Sequence, residues 1–127
     1  MSSMFNTCYS IEEILLGSNF TAGALTTMIG LTSCYNLKRF ISTIDLSKIT
    51  STISITGLYN LEEFDVGAMP TVAFTLGSNL THECLVNLIN KLPEVTSSKT
   101  FTIGGLNKLK LSAEEIAVAT NKGWTLA

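Results

Sequence analysis

Two hydrophobic rhythms run along this chain. The first is alternation over very short stretches: with Ile14 and Leu16 directed inward, Glu13 and Leu15 are left outward, and the same register exposes Arg39 and Ile41, then Glu63 and Asp65. This predicts short strands near 14–16, 40–42, 64–66, 74–76, 101–103 and 124–126. The second rhythm is helical. After Thr21 come Leu25, Met28 and Ile29, and after Thr81 come Leu85, Leu88 and Ile89. A third helix is expected behind Ser112, where Ser112 and Glu115 have capping-box spacing, Ile116 and Ala119 follow, and Lys122-Gly123 supplies the stop.

These elements repeat. Cys8-Tyr9-Ser10-Ile11-Glu12-Glu13-Ile14 aligns without gaps on Cys34-Tyr35-Asn36-Leu37-Lys38-Arg39-Phe40 and on Leu58-Tyr59-Asn60-Leu61-Glu62-Glu63-Phe64, at offsets of 26 and 24 residues. Leu16-Gly17-Ser18-Asn19-Phe20-Thr21 likewise returns as Leu76-Gly77-Ser78-Asn79-Leu80-Thr81. A third variant of the unit starts at Phe101-Thr102-Ile103-Gly104 and closes the chain. Each unit reads as a strand, a turn rich in Gly and Asn, and a short helix or irregular return. One such unit cannot bury its own apolar side, so neighbouring units must stack. A period of about 24 to 27 residues falls within the range of about 20–29 of leucine-rich repeats. The predicted fold is an α/β repeat: a leucine-rich-repeat-like, right-handed solenoid with short parallel strands on one face and short helices or irregular returns on the other. Residues 1–127 form a single domain of this kind, expected to be a fragment or the C-terminal part of a longer chain. One step breaks the rhythm. Only 9 residues, Pro70 among them, separate Val66 from Leu76, which is short for a parallel crossover and calls for either a very tight coil or a hairpin.

Stacking would turn equivalent residues into columns. Glu12-Glu13, Lys38-Arg39 and Glu62-Glu63 alternate in sign, as register-setting ion pairs do; recognition of a charged ligand through Arg39 is the alternative. Leu15 and Ile41 would lie exposed side by side, unremarkable as two surface aliphatics; the greasy centre of a protein contact is the alternative. Tyr9, Tyr35 and Tyr59 could stack as a ladder, serving unit-to-unit packing or offering a strip of rings with polar tips to a glycan or protein. Thr75, Thr102 and Thr125 would form an outward threonine column suited to strand pairing. Cys8 and Cys34 share their column with Leu58, and a position that accepts Leu is an apolar slot, so these thiols act as small hydrophobes; Cys84 falls on or near the inner side of its helix. Trp124 is expected to cover the final unit.

Composition narrows the function classes. A net charge of −2 gives no field that would draw nucleic acid, and no apolar run approaches the ~20 residues of a membrane span. Three cysteines in no close-pair spacing and a single His82 at a helix start give neither a metal constellation nor a triad. The adjacent carboxylates Glu12-Glu13, Glu62-Glu63 and Glu114-Glu115 are not held across a cleft as an acid–base pair would be. No enzyme, cofactor or catalytic residue is therefore expected.

The pattern Met1-x-x-Met4-Phe5-x-x-Cys8-x-x-Ile11-x-x-Ile14-x-Leu16 resembles the repeat of BspA-like leucine-rich proteins, which carry a Met-Phe pair, then Cys, then spaced Leu or Ile. The stretch from Thr102-Ile103-Gly104 through Ser112-Ala-Glu-Glu115 to Gly123-Trp124-Thr-Leu126 is similar to the terminal unit of such proteins from Firmicutes and their phages. The middle units depart from the pattern, with Gly30-Leu31 and Ile55-Thr56 near the place of the Met-Phe pair. The resemblance implies a surface protein, adhesin or phage product, located outside the cell or on a virion, whose strand face binds a protein or carbohydrate of a cell surface without catalysis. A structural spacer or tail component with no ligand of its own is the alternative. In such a chain the sequons Asn19-Phe20-Thr21 and Asn79-Leu80-Thr81 are turn asparagines followed by helix caps. Met1 to Phe5 match the return half of a unit, so an uncapped first coil is a candidate surface for self-association.

Overall fold

The computed structural model describes residues 5–20, 31–77 and 79–127. The expected helix carrying Leu25, Met28 and Ile29 lies outside the described residues, as do Met1 and Met4 of the N-terminal pattern.

The molecule is an α/β fold of short parallel strands in two sheets with few helices. In chain order the elements are β1 (Glu13–Leu16), β2 (Arg39–Ser42), β3 (Ile53–Ile55), β4 (Glu63–Asp65), β5 (Phe74–Leu76), α1 (His82–Lys91), β6 (Lys99–Thr102), α2 (Gly105–Lys108), α3 (Ala113–Asn121) and β7 (Trp124–Leu126). The first sheet has the order β1-β2-β4 and the second β3-β5-β6-β7. All pairings within them are parallel.

The offsets found in the sequence become register. Glu13 pairs with Arg39 and Arg39 with Glu63; Ile14, Phe40 and Phe64 line up beneath them, and Leu15 meets Ile41, which meets Asp65. Ile14, Phe40 and Phe64 are buried, whereas Glu13 and Leu15 are exposed, as alternation requires.

Two expectations need correction. The strands do not share one face but divide between two sheets, and β3 was not anticipated at all. Ile53-Ser54-Ile55 is only three residues long and sits in a Ser/Thr-rich stretch, yet both isoleucines are buried and pair with Phe74 and Leu76 of β5. The short step from Val66 to Leu76 is explained by the same finding. It is neither a hairpin nor a crossover back to the same sheet, because β4 and β5 belong to different sheets and the chain simply turns from one to the other. An isolated parallel bridge, Asp45 to Ala68, joins two such turning points.

One core fills the space between the sheets. Its spine is a run of phenylalanines: Phe40 stacks on Phe64 at 5.3 Å, Phe64 tilts against Phe74 at 6.0 Å, and Phe74 stacks on Phe101 at 5.2 Å. The run therefore passes from the first sheet into the second. In β7, Leu126 stands opposite Phe101, and Trp124 is fully buried with its indole N–H donating to the Pro93 carbonyl at 2.7 Å.

Helices α1 and α3 start where their caps predict, whereas α2 was not expected and follows Gly104, which gives it no side-chain cap. The Thr81 hydroxyl accepts from the Cys84 amide, and Ser112 and Glu115 exchange both bonds of a capping box. The Glu115 carboxyl is held below its ordinary 4.5, first by the Ser112 amide and then by the His82 ring 2.9 Å away. His82 itself is exposed at the start of α1.

Candidate functional site

Three backbone bonds of one kind locate the candidate surfaces. The Lys38 amide donates to the Glu12 carbonyl, the Glu62 amide to that of Lys38, and the Thr81 amide to that of Glu62, at 2.8, 2.8 and 2.9 Å. The first two join successive units where they enter β2 and β4. The third joins the segment leading into α1, so the helix occupies the edge of the first sheet beside β4.

The tyrosine column forms. Tyr9 and Tyr35 stack at 5.4 Å, and Tyr35 and Tyr59 at 5.6 Å, with planes 24° and 12° apart. All three remain exposed. A second ladder fixes the turn that carries them: the Asn36 amide donates to the Tyr9 carbonyl at 2.7 Å and the Asn60 amide to the Tyr35 carbonyl at 2.9 Å.

The charged column also forms, as ion pairs between neighbouring strands. Arg39 uses Nε on Glu63 at 2.8 Å and Nη1 on Glu13 at 3.1 Å, and Lys38 reaches Glu12 at 3.0 Å. These contacts raise both cations' pKa values, chiefly through hydrogen bonds, to Glu63 and then Glu13 for Arg39 and to Glu12 for Lys38. Arg39 is thus engaged on both sides by the protein's own carboxylates. Beside it, Leu15 is 58% exposed and its register partner Ile41 half-buried. Leu15, Ile41 and Arg39 share one sheet surface.

That surface ends against α1 in a groove of about 310 Å³, lined among others by Ile41, Glu63, Asp65, Glu83 and Asn87. The far wall could not be read from the repeat, because α1 contacts the sheet through Cys84, 20 residues from Phe64. The Cys84 thiol lies within hydrogen-bonding distance of both the amide and the carbonyl of Phe64. Lys91, in the last turn of the helix, binds Asp65 and the Val66 carbonyl. A Thr81 cap and the helical spacing after it announced the helix; nothing local announced its partner.

The cysteines are structural. Cys34 is buried and donates to the Phe5 carbonyl at 2.7 Å, Leu58 takes the equivalent slot with no exposure, and Cys84 is buried on the inner face of α1. Burial is the leading cause that pushes the Cys34 and Cys84 thiols up. Among the described residues no group of three His, Cys, Asp or Glu side chains could hold a metal ion, and no helix is long and apolar enough to cross a membrane.

The threonine column needs one amendment. Thr75 does pair with Thr102, and Ser54 with Thr75, but Thr125 pairs with Thr100. The register of β7 on β6 sets Phe101 opposite Leu126, which moves Thr125 two residues back along β6.

Comparison with protein-family models, with curated proteins and with solved structures gave no match for this chain.

Proposed function

We propose that this chain is a non-catalytic interaction module, built as a leucine-rich-repeat-like, right-handed solenoid, that takes a segment of a partner protein along the outer face of the first sheet and against α1. The solenoid reading rests on the offsets of 26 and 24 residues that reappear as strand register. The cell-surface or virion location rests on the resemblance to BspA-like proteins.

One observation carries the binding reading: an aliphatic floor of Leu15 and Ile41 leads into a groove whose rim is acidic. Four carboxylates on this face, Glu13, Glu63, Asp65 and Glu83, meet two cations, Arg39 and Lys91, and both cations are already in ion pairs. The chain's 10 acidic and 8 basic residues leave equal numbers elsewhere, so the excess negative charge is concentrated here. A partner segment that sets a Lys or Arg beside an aliphatic side chain is complementary to it. A neutral glycan would leave those carboxylates to be desolvated without compensation, which favours a protein partner at this face.

The test is a peptide and glycan array probed with the folded protein. Basic-aliphatic peptides should give saturable binding that weakens with salt and falls by about tenfold in Ile41→Ser, the order expected for an apolar anchor. No saturable peptide hit with wild-type protein, or peptide binding indifferent to Ile41→Ser, would reject this face as a binding surface and favour a structural spacer there.

A further inference from the structure

A second surface lies where the tyrosine ladder stops. In a stacked ladder each ring spends its faces on its neighbours, so only a terminal ring keeps an aromatic face for a ligand. Tyr35 covers one face of Tyr59 at 5.6 Å, yet Tyr59 is 70% exposed, the most open of the three. The next segment of chain is fixed by the Thr81 amide bond to Glu62, and the sequence between Leu76 and Leu80 holds no aromatic residue to continue the stack. In place of a fourth ring there is a slot of about 490 Å³ lined by Tyr59, Thr56, Gly57, Gly77, Asn79 and Leu106.

The slot's chemistry is specific. Leu106 is 80% exposed, an aliphatic side chain held at the slot by the short helix α2 rather than drawn into the core. Gly57 and Gly77 contribute no side chain. Gly57 has φ +77°, and a Cβ there would press on Ser33 and Tyr35, so this position is glycine for backbone reasons. Gly77 differs: a Cβ there would meet nothing within 4 Å, so its missing side chain leaves open space that folding does not require. Lys110 donates to Asn79 Oδ1 at 3.0 Å, which fixes that amide and leaves its Nδ2–H groups as donors. Thr56 supplies an exposed hydroxyl. Among the described residues that line the slot no side chain is charged, and the neighbouring Lys110 ammonium is engaged by Asn79, the Leu80 carbonyl and Asn107.

We propose that this slot is a carbohydrate subsite for a neutral pyranose ring. One sugar face, with its axial C–H bonds, would lie on the free face of Tyr59, where the negative π surface attracts polarised C–H hydrogens. Leu106 closes over the ring, and the Asn79 amide and Thr56 hydroxyl bond the equatorial hydroxyls. The volume lies within the range of about 300–1,000 Å³ typical of small-ligand sites. Absence of charge favours a neutral sugar over uronic or sialic acids, and the two polar partners favour a sugar over a wholly apolar ligand. This site is independent of the acidic groove on the first sheet.

The ¹⁵N-labelled protein, screened on neutral oligosaccharides of glucose, galactose, mannose and N-acetylhexosamines, tests the proposal by NMR titration with the strongest glycan. Saturable shifts should centre on the amides of Thr56, Gly57, Gly77 and Asn79. Affinity should fall about tenfold or more in Tyr59→Ala and in Gly77→Val, which adds bulk at the slot from a Cβ that meets nothing within 4 Å, and should persist in Tyr59→Phe, which keeps the ring. Ile41→Ser should leave it unchanged. The proposal is overturned if no neutral glycan produces saturable shifts, if binding survives Gly77→Val in the folded protein, or if only proline-rich or aromatic peptides occupy the slot.

Discussion

The two sheets send the same kind of residue inward and different kinds outward. Facing the core, the first sheet supplies Ile14, Phe40 and Phe64 and the second Ile53, Phe74 and Phe101, all buried. Facing out, the first carries Glu13, Arg39, Glu63, Leu15 and Ile41, whereas the second carries Ser54, Thr75 and Thr102. Threonine fits a strand surface through its β-branch and satisfies itself locally, so the second sheet's face is explained by strand formation alone. Leu15, with 58% of its surface in water, is not explained that way. The inward half of each strand speaks to folding, and any distinction of role between the sheets has to be sought in the outward half.

The sharpest way to break this comparison is to ask whether the sheets share one core. Phe64 is 1% exposed and touches Phe40 on its own sheet and Phe74 on the other. Phe64→Ala should cost about 3–5 kcal/mol, the range for deleting a buried aromatic, and a substantial part of the ~5–15 kcal/mol that holds a domain of this kind together. Urea unfolding followed by tyrosine fluorescence, which reports on the first sheet's ladder, and by Trp124 fluorescence, which reports on the second sheet, should give one coincident transition in both proteins. Separate transitions would mean that the sheets are independent units and that the phenylalanine run does not join them.

The same division shows what the sequence could and could not convey. The Tyr9-Tyr35-Tyr59 and Glu13-Arg39-Glu63 columns were legible because each member sits at a fixed place in a self-matching segment, and parallel pairing preserves that place. The caps Thr81 and Ser112 were legible because a cap is a local arrangement. β3 was not, since Ile53-Ser54-Ile55 lies among Ser and Thr and offers two apolar residues where a strand signal needs more; only its pairing with Phe74 and Leu76 gives those isoleucines their meaning. The groove wall and the slot were hidden for a related reason. Both join residues whose separation in sequence matches no repeat offset, Ile41 with Asn87 in one and Tyr59 with Leu106 in the other.

A smaller effect is expected where the chain turns from one sheet to the other. Gly67 donates to the Ile44 carbonyl at 2.9 Å, and a Cβ on it would overlap the Thr43 carbonyl, with the carbonyl carbon only 2.8 Å away. Both groups are backbone, so neither can swing aside. Gly67→Ala should therefore destabilise by about 1–3 kcal/mol, as forced overpacking does. Gly17→Ala is the control, because a Cβ there meets nothing within 4 Å, and its change should stay within about 0.5 kcal/mol. Equal losses in the two variants would mean that backbone contact at the turn does not tie the sheets together.

The smallest effect sharpens the comparison most directly, because it separates the two outer faces by their physics. Arg39 bridges Glu13 and Glu63 across three strands, and with strands about 4.8 Å apart the two carboxylates sit on strands roughly 10 Å from each other. That spacing is close to the Debye length of about 10 Å at 0.1 M salt, so salt should largely screen whatever repulsion they feel once the cation is gone. Arg39→Met should lower the urea midpoint modestly in dilute buffer, and the gap from wild type should narrow as salt is added. Thr75→Val, on the second sheet, removes a hydroxyl without touching any charge and should shift the midpoint by an amount that salt leaves alone. A salt-independent Arg39→Met deficit would show that the arginine acts through its aliphatic stem packed on the sheet rather than through its charge. The ion pairs of Arg39 with Glu13 and Glu63 would then contribute little to folding, as exposed pairs commonly do.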